Sequence, residues 1–356
     1  SDSYTTGIRQ DTYYSGPSWN RYFNPDLTWE VGEKINLGLD LQLFNDFNLT
    51  FDIFREKRRD IFMTRENSIP EIVGTGETKI TSNNGEMENK GLDLAIDYNK
   101  QITKDFFLSF KSTLTFARNK VLKMDEPPYF EYPGLSDVGH PLGTYWGYVA
   151  DGLFPDQETI DNSPRQDLGY TPQPGDIKYV NQPNAKGEYD NVINSNDRVA
   201  IGHPYDPELV YGFGPSMKWK NWDFSFFFQG VARTSFMMYG MHPFGTTSIK
   251  NMLQFVADDH WSVDNPNPNA AYPRLTKDSN GNNDQYSTYW LRNAAFLKLK
   301  NAEIGYTYKG MRFYLSGVNL LTFSPFKHWD PEMGGGNGLY YPTQRVFNIG
   351  FQMTIQ

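Results

Sequence analysis

The sequence has no cysteine in its 356 residues, which excludes disulfides, thiolate metal sites and a cysteine nucleophile within it. No run approaches the ~18–20 apolar residues of a membrane-spanning helix. With a mean hydropathy of −0.62, a helical membrane protein is excluded and a β-barrel is not. Positive charge is scarce as well. A net charge of −9 and a pI near 5.1 argue against a nucleic-acid partner, whose phosphates require clustered Lys and Arg. The one basic cluster, REKRRD at 55–60, already carries Glu56 and Asp60. The opening residues SDSYTTGIRQ show neither the basic nor the apolar region of a secretory signal. Either the protein is cytoplasmic or this chain is not the start of the gene product.

Catalytic constellations are missing too. The five histidines, at 140, 203, 242, 260 and 328, are scattered, with no His-Glu-x-x-His helix and no pair at ligand spacing. Asp258-Asp259-His260 reads as a solvated loop or a lid contact, and the carboxylates Asp330 and Glu332 are unspecific. Gly334-Gly335-Gly336 lacks the Lys-Ser/Thr of a phosphate loop. No enzyme is expected.

What is abundant is aromatic: 26 Phe and 23 Tyr bring the aromatic fraction to 16%, while hydrophobic residues overall reach 38%. Apolar content is thus held in a few bulky side chains, and these alternate. In NWDFSFFFQG (221–230), Trp222, Phe224, Phe226 and Phe228 fall on one side of an extended chain and Asp223, Ser225 and Gln229 on the other, because side chains in a strand alternate with period two. The same pattern recurs at 31–43, 47–53, 92–99, 106–116 and 347–355. These segments are long for globular strands, whose mode is ~5–6 residues.

Nine strands are expected, at 27–44, 47–64, 87–100, 104–121, 209–219, 222–233, 290–308, 311–323 and 343–355. A further one hidden in 142–154 would change the parity. Tight connections (Asn45-Asp46, Gln101 to Asp105, Lys220-Asn221, Lys309-Gly310) alternate with long ones at 65–86, 122–208, 234–289 and 324–342. Loops beyond ~12–15 residues are uncommon in compact domains. Short turns at one rim and long loops at the other, joined by ~10-residue alternating segments, are the signature of an outer-membrane barrel. The expected fold class is therefore all-β, an antiparallel transmembrane β-barrel with long extracellular loops. On that reading the aromatic stripes face lipid, and Lys34, Asp93, Asp97, Lys111, Asp223, Lys298 and Lys300 line a wet interior. Single-chain bacterial barrels have an even number of strands, so an odd count that starts outside and ends inside describes part of a barrel, with further strands upstream.

From NPDLTWE (24–30) to the C-terminus the sequence resembles the SusC/RagA family of TonB-dependent outer-membrane transporters. The likeness is carried, in order, by Asn89-Lys90-Gly91-Leu92-Asp93-Leu94, GHPLGTYWGYVADGLF (139–154), PGDIKYV (174–180) with NDRVAIGHP (196–204), FLKLKNAEIGY (296–306), SGVNLLTFSPFKHWDPE (316–332) and YYPTQRVFNIGFQMTI (340–355). The resemblance implies the C-terminal portion of a 22-stranded barrel. Its plug, TonB-contact segment and N-terminal strands would lie outside this chain, in an upstream fragment of the same transporter. It also implies a SusD-like lipoprotein lid, energisation by the TonB complex, outer-membrane lipid around the wall and a dimer of transporter-lipoprotein pairs. Where family members carry a calcium-like D-x-N-G-D-G-x-I-x-x-x-D-R stretch, this chain has an insertion and then Asp190 to Arg198, with one acid and the Gly lost. No cofactor is expected; calcium at Asp190 and Asp197 stands against a hydrogen-bonded scaffold. The terminus departs too, finishing on Ile355-Gln356 where such strands commonly end on an aromatic.

The expectation is energised import of oligosaccharides or oligopeptides. A passive porin-like channel, a secreted glycan-binding β-sandwich and an all-β glycosidase are the alternatives. Aromatic faces beside Asn and Asp suit sugar rings or peptide side chains, so Tyr145, Trp146, Trp261, Tyr272 and Trp329 are the candidate substrate-binding residues. For Tyr289 and Trp290, close to a strand end, an interfacial girdle is the preferred reading.

Overall fold

A computed structural model describes residues 2–6, 12–16, 22–65, 67, 69, 72, 80–239, 244–245, 248–249, 253–276 and 279–353. Period-two alternation produces one dominant sheet. Among the described residues nine strands join it: β1 (Val31–Leu43), β2 (Phe47–Thr64), β3 (Thr81–Thr103), β4 (Phe106–Lys123), β5 (Leu209–Trp219), β6 (Trp222–Ala232), β7 (Phe296–Tyr308), β8 (Met311–Phe323) and β9 (Val346–Met353). Each is hydrogen-bonded to its neighbours in chain order, so the sheet is an antiparallel meander with β1 and β9 at its edges. The β7–β8 turn is Lys309-Gly310, both at positive φ (47° and 80°), the tight hairpin geometry whose twist matches that of the strands.

Two strands begin six residues from the expected bounds, and β1 and β9 begin four and three residues later than expected. β3 begins at Thr81 rather than 87, and β7 begins at Phe296 rather than 290 because Leu291–Asn293 pairs instead with Ser235–Met237 outside the sheet. The segment 142–154 does contain strands, Tyr145–Gly147 and Ala150–Leu153, but they pair with Val199–Ile201 and Ile177–Tyr179 within the long loop. They add nothing to the wall.

Register aligns the stripes into a belt. Leu39 faces Phe51, Phe51 faces Leu94, Leu94 faces Leu114 and Leu114 faces Tyr211. On the other half Met217 faces Phe224, then Ile304, Leu315 and Ile349. This belt is not covered by protein: Leu37 is 72% and Ile349 91% exposed. A self-contained sandwich would bury such a face under a second sheet, and none lies there among the described residues. At the short-turn rim the belt ends in a row of rings, with Trp219, Trp222, Tyr306, Phe313 and Phe351 each opposite the next. That is the position of an interfacial girdle.

The buried core lies in the loops. Leu153, Ile177, Tyr179, Ile193, Phe236, Met238, Trp261, Tyr272, Trp290 and Phe326 belong to one cluster contributed by the three segments between β4 and β5, β6 and β7, and β8 and β9. Fully burying one such side chain contributes about 1.5–3 kcal/mol, so these long loops form a packed cap over one end of the sheet.

Candidate functional site

The face opposite the belt is polar because every second residue of each strand is. Lys34 pairs with Glu56 at 3.3 Å and Lys111 with Asp97 at 3.4 Å. Asn36 donates to Asp52, Thr50 to Asp40 and Thr115 to Asp93. Arg312 reaches both Asp223 and Glu303 across β6, β7 and β8. Most of these groups remain partly exposed, so their pairing contributes little to stability. They make a hydrated, charged wall. Between this wall and the cap lies a cavity of about 440 Å³ lined by Glu56, Arg58, Asn89, Asn119, Leu142 and Asp206, within the size range of ligand pockets.

A bulge between Leu299 and Asn301 leaves Lys300 without a cross-strand partner. Lys298 and Lys300, two apart on the polar face, reach the same carboxylate. Lys298 is fully buried; its ammonium donates to both oxygens of Asp330 (2.9 and 2.7 Å) and to Glu332, while Lys300 reaches Glu332 at 3.0 Å. Burial alone would raise the carboxyls of Asp330 and Glu332, but the Lys298 hydrogen bonds, with Thr343 on one and Lys300 on the other, hold both below the ordinary carboxylate range. The two acids that look unspecific in sequence are thus anchors tying the β8–β9 loop to the wall.

A second polar centre organises the cap. Asp176, the acid of PGDIKYV, is fully buried and accepts from Arg274 (2.7 Å), Asn280 (2.9 Å), Asn283 (2.8 Å) and the amide of Gln173 (2.8 Å). Asn282 and Asn283 in turn bond the carbonyl and amide of Ile177. A buried carboxylate is tolerated because all of these donors converge on it.

The cap places the candidate residues differently from one another. Tyr272 is 2% exposed with its hydroxyl 3.4 Å from His328, and Trp261 is 7% exposed against Gly175; both serve loop packing and present no ring face to a ligand. Trp329 donates to the carbonyl of Gly334 at 2.9 Å and packs edge-on against Phe326. Trp146 donates to Asp137 at 2.6 Å and is covered on its edge by His140. Tyr145 is half-buried and stands in an open cluster. Its ring lies 6.5 Å from that of Tyr205 and close to Tyr239 and Tyr286, while Tyr239 is hydrogen-bonded to Tyr340. Tyr205, Tyr239, Tyr286 and Tyr340 are each about half exposed. Tyr286 is one of the loop aromatics that the sequence marks, whereas Tyr205, Tyr239 and Tyr340 are not, since no local spacing marks residues brought together from separate loops.

The girdle reading of Tyr289 and Trp290 is corrected. Trp290 is buried in the cap with its indole N–H on the carbonyl of Asn283 (2.7 Å), and the Tyr289 hydroxyl donates to that of Ala270 (2.8 Å). Nearness to a strand end did not decide, because the chain on that side continues into packed loop. Both oxygens of Asp197 are taken by backbone amides, of Gln182 and Asn194, each at 2.7 Å. Burial pushes its carboxyl up against the pull of those amides. Asp190 accepts from the amide of Val192, and among the described residues no group of three or more His, Cys, Asp or Glu is placed to hold a metal.

Comparisons with known proteins agree with this geometry. The chain is 26% identical to TonB-dependent receptor P3 of Formosa agariphila, over 96% of its own length and 36% of that protein's. It is 27% identical to TonB-dependent receptor SusC of Bacteroides thetaiotaomicron, over 96% and 34%. Its fold matches a chain of the RagAB peptide importer in the open-open state with a TM-score of 0.73 at 20% identity, over 99% of this chain and 37% of that one. The chain spans just over a third of the length of these relatives. The nine-stranded sheet is accordingly a section of β-barrel wall in the outer membrane, with the belt toward lipid and the long loops outside. The family model described as TonB dependent receptor-like, beta-barrel matches residues 2–320, and the chain belongs to that family.

Proposed function

We propose that this chain forms the C-terminal wall and much of the extracellular cap of an energised importer of oligosaccharides or oligopeptides. The observation that carries the reading is the pairing of a bare apolar belt with a charged opposite face, roofed by a cap that exposes a tyrosine cluster. Remaining strands would pair with the edges of β1 and β9, and a plug and TonB-contact segment would come from sequence outside this chain. A SusD-like lipoprotein would cover the cap, and transporter-lipoprotein pairs would associate as dimers. The candidate cargo surface is Tyr145, Tyr205, Tyr239, Tyr286 and Tyr340, whose rings offer flat apolar area with hydroxyls at the edges. The RagAB neighbours are named as a peptide importer or peptide transporter, which supports a peptide cargo, and the cluster suits sugar rings equally. Catalysis has no place in this reading.

The test is uptake by cells carrying the whole transporter. Labelled oligosaccharide and oligopeptide pools should accumulate only while the inner membrane is energised, and Tyr239→Ala with Tyr286→Ala should lower uptake without lowering the amount of folded barrel. Steady ion conduction by the intact protein in liposomes, with uptake indifferent to a protonophore, would replace import by a passive channel.

A further inference from the structure

The lipid-facing side of β2–β4 changes character within one row. Leu37, Ile53, Leu92, Phe116 and Leu209 lie opposite one another and form the last wholly apolar row. Two residues nearer the long loops, the same face presents Arg55, Lys90 and Arg118, each directly across from the next. Like charges placed directly opposite on neighbouring strands are destabilising. Carboxylates answer part of the repulsion: Arg55 bonds Glu88 at 2.5 Å, and Arg118 lies 3.1 Å from Glu208, which Arg233 shares at 2.6 Å. Lys90 is exposed and has no ion-pair partner among the described residues. The following row, Glu33, Lys57, Glu88 and Lys120, is balanced, and Lys57 also lies 3.1 Å from Glu86, so the run of three cations with no acid between them is confined to the Arg55, Lys90 and Arg118 row.

Two features separate this patch from general rim polarity. It is on the outer face, where cargo in the lumen does not reach it. It is also one-sided, since the outward row at the other end of these strands is Leu43, Phe47, Tyr98 and Phe110, and the one cation just beyond it on that face, Lys100, is answered by Asp46 at 3.0 Å. Cations therefore stand directly above the hydrocarbon belt at the long-loop rim, which is the extracellular one. An amphiphile with acyl chains against the belt and an anionic head at that height satisfies both. Two guanidiniums flanking an ammonium favour phosphate, because Arg offers paired N–H donors to its oxygens. Lys90 lies in Asn89-Lys90-Gly91, where Gly91 brings the strands close: a Cβ there would stand 2.1 Å from the carbonyl oxygen of Phe116.

We propose that Arg55, Lys90 and Arg118 form a seat for the phosphorylated headgroup of an outer-leaflet lipid. The test uses the whole transporter in nanodiscs of zwitterionic lipid, titrated with a bisphosphorylated acyl-disaccharide lipid, with its dephosphorylated form, and with inorganic phosphate. The phosphorylated lipid should bind and be retained through purification, and an R55Q/K90Q/R118Q variant should bind it at least tenfold more weakly. Should that variant fail to fold, K90Q, which breaks no ion pair, should still weaken binding about threefold. Equal binding of the dephosphorylated lipid, or unchanged binding by K90Q, overturns the proposal. Full displacement by millimolar inorganic phosphate overturns the lipid assignment in favour of a free-anion site.

Discussion

Replacing Lys298 with methionine isolates the link between wall and cap. The ammonium it removes is wholly buried and sits on Asp330 and Glu332, whose side chains are only about a fifth exposed. Stripping one partner from a buried ion pair typically costs about 3–5 kcal/mol, since the remaining charge is left unanswered. Here Lys300 still reaches Glu332 and the Thr343 hydroxyl still donates to Asp330, so about 2–4 kcal/mol is the expected loss. At ~1.4 kcal/mol per tenfold, the β8–β9 loop should open roughly 30- to 1,000-fold more often. Hydrogen exchange of the whole transporter in nanodiscs reads this directly at the amides of Met333, Gly334 and Gly336, which are bonded to Asp330, Pro331 and Met237. Amides in the middle of β7 should be unaffected. Adding Asp330→Asn and Glu332→Gln to Lys298→Met removes the stranded charges and should restore most of the protection. If Lys298→Met changes loop exchange by less than threefold, aromatic packing of Phe236, Phe326 and Trp329 anchors the loop and the ionic account is wrong.

The same carboxylates set a pH dependence: both are held below their unfolded values of ~3.9 and ~4.3, so their contribution is complete above about pH 5 and is lost as pH falls below 4. Loop protection, corrected for intrinsic exchange, should drop in that window in the native protein and stay flat in Lys298→Met. Leu94→Arg, in the middle of the belt, should cost about 2–4 kcal/mol and deplete the heat-modifiable folded form on electrophoresis, while Ala95→Arg, facing the wet side, should not; equal effects would refute the assignment of faces. Gly91→Ala puts a Cβ 2.1 Å from the oxygen of Phe116 and 2.7 Å from the Phe54 ring, so it should destabilise by about 1–3 kcal/mol. Gly32→Ala, whose Cβ would meet one atom at 3.6 Å, is its silent control in the same electrophoretic assay.

What could be read from sequence was whatever repeats with period two. The stripe Trp222, Phe224, Phe226, Phe228 and its counterparts gave the faces, and Lys309-Gly310 gave a turn, because both depend on neighbours along the chain. The cap depends on partners far apart in it. Asp176 finds Arg274 and Asn283 about 100 residues away, and nothing local distinguishes Asn280 to Asn283 from any polar loop. Lys298 was placed on the polar face by alternation, yet its carboxylates sit 32 and 34 residues on, brought into reach by the course of the β8–β9 loop, which no local pattern announces. Trp261 and Tyr272 look like exposed loop aromatics for the same reason. Their burial is a property of several loops packing together.

The distribution of apolar surface has a further consequence for stability. The sheet is held by its ladder and by whatever covers the belt, while the cap is held by its own hydrophobic cluster and the Asp176 centre. Backbone links join the two, such as the amide of Ala117 to the carbonyl of Glu208, together with the ion pairs at Glu208 and Lys298. Detergent exchange acts on the first set of forces, and acid or salt acts on the links. Denaturant acts on the cap by solvating its apolar and peptide groups. Exchange of cap and wall amides should therefore respond independently to these agents: acid should loosen the β8–β9 loop before it affects either the β-ladder or the interior of the cap. If all three lost protection together as the pH falls, the cap would have no core of its own, and its buried cluster would be an extension of the wall.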